Sequence, residues 1–342
     1  MNLTDLLNPY AYAMRLRRTL YRRGILKSEH VSVPVISIGN LSMGGTGKTP
    51  MTLSIARYCS ECLNKKPAII LRGYKRRSTG YLLVSDSNTI LETVQRSGDE
   101  AQLYARALPR SIVVCDEDRI RGANNAIALG AEVILLDDGY QHLRLKRDLN
   151  ILLINSDEGV PPLFPFSKGR ESASAIDEAD IIIQTNYSEN APHFFHTDNK
   201  RLLLTRTLFS RVNLYSEDEE IDALPEILNG ARILVLSGIA NPERFERPFA
   251  EITSTAIPYR LHDHAEYDTA ILKKIVAKAK KEKCEFIATT TKDAAKMLYS
   301  YIIMQQQDAS LPNLAVVHME IEFIQGEEIL KSRISDLFRT HQ

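Results

Sequence analysis

The sequence predicts an α/β protein of two domains, the larger built on a parallel sheet covered by helices on both faces. Three observations carry this. Short apolar runs alternate with amphipathic helical patterns between residues 33 and 183, and buried strands separated by crossover helices make parallel sheets. A glycine-rich loop at 42–49 joins the first such strand to the first such helix. A second strand–helix alternation begins near 233, after the pattern changes near 200. The 342 residues fit two domains of about 150 each.

Taken along the chain, the apolar runs 33–38, 68–71, 112–114, 133–136, 151–154 and 181–183 predict strands. The periodic segments 49–60, 99–107, 118–129 and 172–178 predict helices. Right-handed crossovers place the C-terminal ends of such strands, and the loops after them, along one functional edge. The polar stretch 187–200 reads as a loop, 201–208 and 212–215 as two extended segments around a polar break, and acidic 217–222 as a boundary. Beyond it come strand 233–236, helix 242–250, strand 255–261, helix 269–280, strand 286–289 and helix 293–299. Residues 314–323 read as one or two strands, and 327–338 as a last helix.

Composition narrows the function. Hydrophobic residues at 44% and charged residues at 25% exclude wholesale disorder. The 43 basic and 43 acidic side chains cancel, so no global charge points to nucleic acid. No apolar run reaches the roughly 18 residues of a membrane span, and the N-terminus lacks the plan of a secretory signal. Cys59, Cys62, Cys115 and Cys284 are too few and scattered for a disulfide framework. That fits a reducing, cytoplasmic setting. Cys59 and Cys62 form a CxxC with no second pair and read as ordinary helix residues.

Ser42, Met43, Gly44, Gly45, Thr46, Gly47, Lys48 and Thr49 form the strongest local signal. Between a strand and a helix, such glycines let backbone N–H groups turn toward phosphate oxygens, and the helix N-terminus adds positive charge. Lys48 then reaches the β- and γ-phosphates, and Thr49 offers its hydroxyl to Mg²⁺. Ser42 stands where the strict pattern has glycine. The loop implies nucleoside triphosphate binding and leaves the acceptor open. The apolar run 133–136 carries Asp137 and Asp138 to the same sheet edge, where a carboxylate can serve Mg²⁺ through water. Their division of labour stays open.

Other candidates carry two readings each. Asp99 opens a helix as either an N-cap or a base at the active edge. Arg72 and Tyr74 follow a strand, as an exposed turn or as acceptor contacts. Arg119 contacts anionic substrate or lies on a solvated helix face. His262 and His264 follow the strand at 255–261 and are equivalent by composition.

From residue 11 to 27, Arg15, Arg17, Arg18, Arg22, Arg23 and Lys27 occur without an acidic residue, and Tyr12, Leu16 and Leu20 recur at four-residue spacing. That is the pattern of an interfacial helix, apolar face in the acyl boundary and cations on anionic headgroups. Each near-surface cation contributes about 1 kcal/mol. The alternatives are a basic helix packed on the domain or an RNA-binding arm, and with only Tyr12 and Tyr21 as aromatics RNA is the weaker rival.

Several segments now matter together: 33–40 ending in Gly39 and Asn40; Arg72, Gly73 and Tyr74; Gly98, Asp99 and Glu100; Asp137, Asp138, Gly139, Tyr140, Gln141 and His142; Asp263 and His264; Thr291, Lys292 and Asp293. In that order and spacing they resemble the tetraacyldisaccharide 4'-kinase family, the lipid A 4'-kinases of Gram-negative bacteria. The resemblance spans residues 10 to 300 or so. It implies a P-loop NTPase-like domain, a smaller C-terminal α/β domain and a two-stranded linker. It implies ATP and Mg²⁺, and γ-phosphate transfer to the 4'-hydroxyl of a tetraacyldisaccharide 1-phosphate, a lipid A precursor. The setting implied is the cytoplasmic face of the inner membrane, with peripheral or monotopic attachment to its anionic surface, no nucleic acid and no obligate protein partner.

On this plan the chain divides into a basic segment 1–28, a kinase domain 29–203, linker strands 204–215 and 314–323, a smaller domain 216–313 and a C-terminal helix 324–342. The resemblance assigns Asp99 as the catalytic carboxylate and selects His264 over His262 as its dyad partner, with domain closure assembling the pair. It places Ser42, Met43, Gly44, Gly45, Thr46, Gly47, Lys48 and Thr49 on ATP. Thr49, Glu100, Asp137 and Asp138 are placed at the metal. Arg72, Tyr74, Arg119 and Arg170 are placed on the acceptor, and His142 buttresses the metal-binding turn. The family's Pro-Ala-Gly stretch before an Arg-Glu pair is here Phe164, Pro165, Phe166, Ser167, Lys168 and Gly169 before Arg170 and Glu171. Without the resemblance, a P-loop regulatory NTPase with no lipid acceptor is the chief alternative, and a soluble small-molecule kinase the next. A guanine-specific Asn-Lys-x-Asp segment is absent from the sequence.

Overall fold

A computed structural model of the chain describes residues 8–43, 45–165, 167–188, 201–216, 219–239, 241–262 and 265–340. The chain forms two compact units, Met1–Arg206 with Ile321–Gln342, and Thr207–Glu320.

In the first unit, helix α1 (Pro9–Arg22) precedes strand β1 (Val35–Asn40) and helix α2 (Lys48–Arg57), which a π-helical turn extends to Cys62. Strands β2 (Pro67–Leu71) and β3 (Leu82–Asp86), helix α3 (Asp99–Ala107), strand β4 (Ile112–Cys115) and helix α4 (Arg119–Ala128) follow. Then come β5 (Val133–Asp137), β6 (Leu149–Asn155) and β7 (Ile181–Thr185), and the start of β8 (Leu202–Ser216). The sheet order is β8-β7-β6-β1-β5-β2-β4-β3, parallel from β7 to β4 with β3 antiparallel at the edge. β1 sends its chain toward β2 and β6 sends its chain toward β7, so the two part at a topological switch. Such a switch opens a crevice outside the strand carboxyl ends.

The apolar alternation of each strand fills both faces. Ile36, Ile38, Leu135 and Leu153 pack with Met51 and Ile55 of α2 on one side. Val35, Ile70, Ile134 and Leu136 pack with Ile120 and Ala123 of α4 on the other. The C-terminal helix, Glu327–Thr340, adds Leu330 and Ile334 to the first of these cores, and Tyr58 and Ser335 hydroxyls meet at 3.0 Å.

The second unit orders its strands β11 (Ala256–Arg260), β10 (Ile233–Ser237), β12 (Phe286–Thr290), β13 (Asn313–Gln325) and β8. The pairs β10–β11, β10–β12 and β12–β13 are parallel. Its core holds Leu236, Ile275, Ile287 and Tyr301 on one face, and Phe209, Phe245 and Phe249 on the other.

The expected elements were found with physical differences. The segments 201–208 and 212–215 form one strand, because buried Phe209 and Val212 continue across the polar residues between them. Residues 217–218 lie outside the described residues, and β9 (Glu219–Ala223) is a strand antiparallel to β8 where a boundary was expected. That strand exposes most of its side chains, so pairing and not an apolar pattern makes it. Helix 242–250 is two short helices, Pro242–Glu246 and Phe249–Ile252, split around Pro248. Helix 293–299 runs from Thr291 to Gln307, started by the Thr290 hydroxyl accepting from the Asp293 N–H. Most of the expected loop 187–200 lies outside the described residues.

Candidate active site

The site is built where β1 and β5 end. A Cβ at Gly39 would fall 2.6 Å from Tyr140 Cβ, so only glycine lets the end of β1 lie against the 137–142 turn. Asn40 Nδ2 donates to Thr46 Oγ1 at 2.7 Å, and the Asn40 carbonyl accepts from Gln141 Nε2 at 2.7 Å. The Thr46 carbonyl accepts from Thr185 Oγ1 at the end of β7. Ser42 forms a bridge to Gly169, and the Met43 N–H donates to the Lys168 carbonyl. The phosphate loop is therefore fastened on several sides. Gly44 lies outside the described residues; Gly45 is described and exposed. Gly47, at φ +91°, starts α2 with no side-chain cap, which leaves first-turn N–H groups to an anion. Lys48 and Thr49 lead that helix.

The two aspartates at the end of β5 have different surroundings. Asp138, at φ +53°, lies between two cations: Lys48 Nζ is 3.4 Å from its Oδ1 and Arg170 Nη1 donates to its Oδ2 at 2.6 Å. Burial raises the Asp138 carboxyl, but the Lys48 and Arg170 charges outweigh it and hold the group below its ordinary range. Asp137 is 4% exposed, and its Oδ1 has no hydrogen-bond partner. Burial, and then the Glu100 carboxylate, push Asp137 up to about 7 against the pull of Lys48. The two neighbouring carboxyls thus stand in opposite charge environments. Asp138 is the ionised tether, and Asp137 is a buried carboxylate short of positive charge.

Tyr104 is fully buried within electrostatic reach of Asp137, Glu100 and Thr49. Burial, then Asp137 and Glu100, push the Tyr104 phenol well above 10, with the Thr52 and Thr49 hydroxyls opposing. Among the described residues, no three His, Cys, Asp or Glu side chains gather as a self-sufficient metal cage. Mg²⁺ seldom needs one, because phosphate oxygens and water complete its octahedron. The unpartnered Oδ1 of buried Asp137, at the sheet edge where Thr49 opens α2, fits such an ion.

Asp99 is half-buried on the first turn of α3, and the N-cap is Gly98 at φ +86°. The capping reading of Asp99 is thereby overturned. A Cβ at Gly98 would lie 3.3 Å from the Tyr74 carbonyl, so the Arg72–Gly73–Tyr74 turn lies against the start of α3. Arg72 and Tyr74 are exposed there, with Lys75 Nζ 5.5 Å from the Tyr74 ring centroid. Arg119 is not on a solvated face. It is 6% exposed, donates to the Asp116 carbonyl, and leaves Nε without a protein partner. Burial lowers its pKa, while Asp137 and Asp138 raise it. His142 is half-buried in the same turn as Tyr140. Asp263 and His264 lie outside the described residues, and His262 is described.

Sequence reasoning missed the fastening residues. Arg76 shapes the Arg-Gly-Tyr turn by donating to the Cys115 and Gly80 carbonyls. Glu171, 2% exposed, accepts from Arg18. A polar residue beside a motif gives no periodic signal of this kind. The basic segment also needs correction. Arg18 is buried, Arg17 donates to the Gln141 carbonyl and Arg15 to the Ser172 hydroxyl, so these three face the domain. Arg22, Arg23 and Lys27 are exposed.

A family model described as tetraacyldisaccharide-1-P 4'-kinase, LpxK, matches residues 2–339. The chain belongs to the LpxK family. The tetraacyldisaccharide 4'-kinase of Desulfotalea psychrophila is 36% identical over 302 residues, 84% of this chain and 85% of that protein. The protein of the same name from Aquifex aeolicus is 34% identical over 290 residues, 84% of this chain and 87% of that one. A crystal structure of LpxK from Aquifex aeolicus in complex with ATP matches with a TM-score of 0.71 at 30% identity, over 98% of this chain and 100% of that one. Mixed α/β architecture around a mostly parallel, helix-covered sheet is thus shared with a P-loop kinase family.

Burial, then Arg119, Arg147 and Arg17, hold the His142 imidazole down at about 4, and its Nε2 has no partner. The unfolded chain, with an ordinary histidine near 6.5, binds the proton more readily. Stability should therefore be full above 6.5 and fall as pH drops from about 6.5 to about 4. His142→Gln should flatten that part of a urea-midpoint-versus-pH curve. An unchanged slope would show that His142 does not titrate this way.

Proposed function

We propose that the chain transfers the γ-phosphate of ATP to the 4'-hydroxyl of a tetraacyldisaccharide 1-phosphate, a step of lipid A synthesis. The observation that carries this is membership of the LpxK family over residues 2–339 with Lys48, Asp138 and Arg170 joined at the phosphate loop. In this reading the open first turn of α2 and Lys48 hold the β- and γ-phosphates. Thr49 and Asp137 would hold Mg²⁺ together with phosphate and water, with Glu100 as a further carboxylate, and the bound ion would supply positive charge for the transferring group. Arg119, buried with a donor to spare, exposed Arg72 and half-buried Arg170 supply cations for the anionic acceptor and the phosphoryl oxygens. Tyr74 offers an exposed ring and hydroxyl at the same edge.

Asp99 is the base. As the 4'-oxygen attacks phosphorus and the bond to ADP breaks, the hydroxyl proton passes to the Asp99 carboxylate. Labelled ATP, with the acceptor in detergent micelles, should yield labelled lipid. Asp99→Ala should lower kcat by about a hundredfold or more while moving ATP affinity little. Nucleotide hydrolysis indifferent to lipid, with no labelled product, would return the chain to the regulatory NTPase class.

We also infer that α1 rests on an anionic lipid surface. Its outer face is apolar, with Tyr12 at 54% and Leu16 at 61% exposure, while its inner face carries buried Arg18. This inverts the pattern of a helix packed on a domain in water. Arg22, Arg23 and Lys27 follow at its exposed end. Among the described residues no helix is long and apolar enough to cross a membrane. The acceptor's acyl chains give such a seat a use. Co-sedimentation with anionic vesicles should weaken with salt and fall with Leu16→Asp. Binding that ignores both changes would sink this reading.

A further inference from the structure

We propose that Arg18 is a positioning residue for phosphoryl transfer, holding from α1 both the turn that carries Asp138 and the loop that carries Arg170. The inference rests on the kinase reading. It adds to that reading a physical link between the lipid-facing helix and the phosphate site.

Arg18 lies on the inner face of α1 at 7% exposure. Its Nε donates to Glu171 Oε2 at 2.9 Å, its Nη2 donates to the Tyr140 carbonyl at 3.2 Å, and its Nη1 pairs with Glu178. The guanidinium carbon stands 5.1 Å from the Tyr140 ring centroid. One planar fork thus joins Tyr140, two residues after Asp138, to Glu171, the residue after Arg170. The same face adds two bonds to these segments: Tyr10 Oη donates to the Arg170 carbonyl at 3.0 Å, and Arg17 Nη1 to the Gln141 carbonyl at 3.1 Å.

What these bonds steady is the ion pair of Arg170 with Asp138, and through Asp138 the position of Lys48. Asp138 is a non-glycine residue at φ +53°. Such a conformation persists only where its surroundings over-determine it. Arg147 also reaches the Tyr140 carbonyl, at 3.1 Å, but bonds to neither Glu171 nor the Arg170 loop among the contacts seen. Arg18 alone in this group spans both segments. The geometry needs arginine: lysine keeps the charge but cannot present several coplanar donors. Glu171 is 2% exposed and its Oε1 already lacks a partner, so losing Arg18 would leave its carboxylate buried without its cation.

The test uses the full chain with detergent-dispersed acceptor, so that recruitment to a membrane is not limiting. Arg18→Met should lower kcat by about a hundredfold, the scale of a 1 Å misplacement, and move the KM for ATP by less than about threefold. Should Arg18→Met fail to fold, Arg18→Lys keeps the buried charge and should still lose most of kcat. Hydrogen exchange over residues 137–141, measured without acceptor, should quicken in Arg18→Lys while the midpoint of thermal unfolding stays near wild type. Wild-type kcat together with wild-type exchange in Arg18→Lys would overturn the proposal. So would a variant that loses only vesicle binding, which would make α1 an anchor and nothing more. If the wild-type chain transfers no phosphate, the kinase reading fails, and the exchange measurement alone then decides whether Arg18 positions the turn.

Discussion

The Asp138 carboxylate, shared by Lys48 and Arg170, is the interaction on which the rest of the site depends. Lys48 comes from the phosphate loop, Asp138 from the end of β5, and Arg170 from the loop that runs beside Ser42 and Met43. Hydrogen bonds to the backbone already join these segments, and the shared carboxylate ties their side chains together. Two cations on one carboxylate also keep Lys48 directed into the site before any phosphate arrives. Asp137, next in the chain, is left with neither cation at hydrogen-bond distance and with Glu100 acting against its ionisation. Ligand-free, the site therefore carries one satisfied and one unsatisfied carboxylate. The unsatisfied one is where added positive charge is worth most.

The fold supplies this arrangement through three close approaches. Gly39 lets β1 touch the 137–142 turn, Gly98 lets α3 touch the Arg-Gly-Tyr turn, and Gly47 opens the first turn of α2. The parallel sheet brings all of these to one edge. Helix α1 then lies against the outer side of the turn, with Tyr12 and Leu16 outward and Arg15, Arg17 and Arg18 inward. One face of this helix is thus open to the surroundings, and the other holds the turn that carries Asp138.

Much of this was legible in the sequence. The strands at 112–115, 133–137 and 181–185 contain the apolar runs 112–115, 133–136 and 181–183, and α3 begins and ends where its periodicity does. The phosphate loop and the paired aspartates are motifs whose chemistry needs residue types at fixed spacing. What stayed hidden depends on tertiary contact. β3 is short and partly polar, and Glu219–Ala223 is a strand only because β8 pairs with it. The partners of Asp138 come from positions 48 and 170, far apart in sequence. Nothing local separates the tasks of two adjacent aspartates. The basic helix was readable as amphipathic, but which arginines turn inward depends on Glu171, Glu178 and the Tyr140 carbonyl, more than a hundred residues away.

The most direct measurement is thermal unfolding of ligand-free Asp138→Asn and Asp137→Asn side by side at pH 8. Asp138→Asn should unfold at a lower temperature than wild type, because Lys48 and Arg170 lose the charge that holds them, a loss of about 1–3 kcal/mol. Asp137→Asn should match wild type or exceed it, because it removes a buried carboxylate that burial and Glu100 disfavour. Equal losses in both variants, or the reverse order, would contradict the division of roles between the two aspartates and the dependence of the site on Asp138.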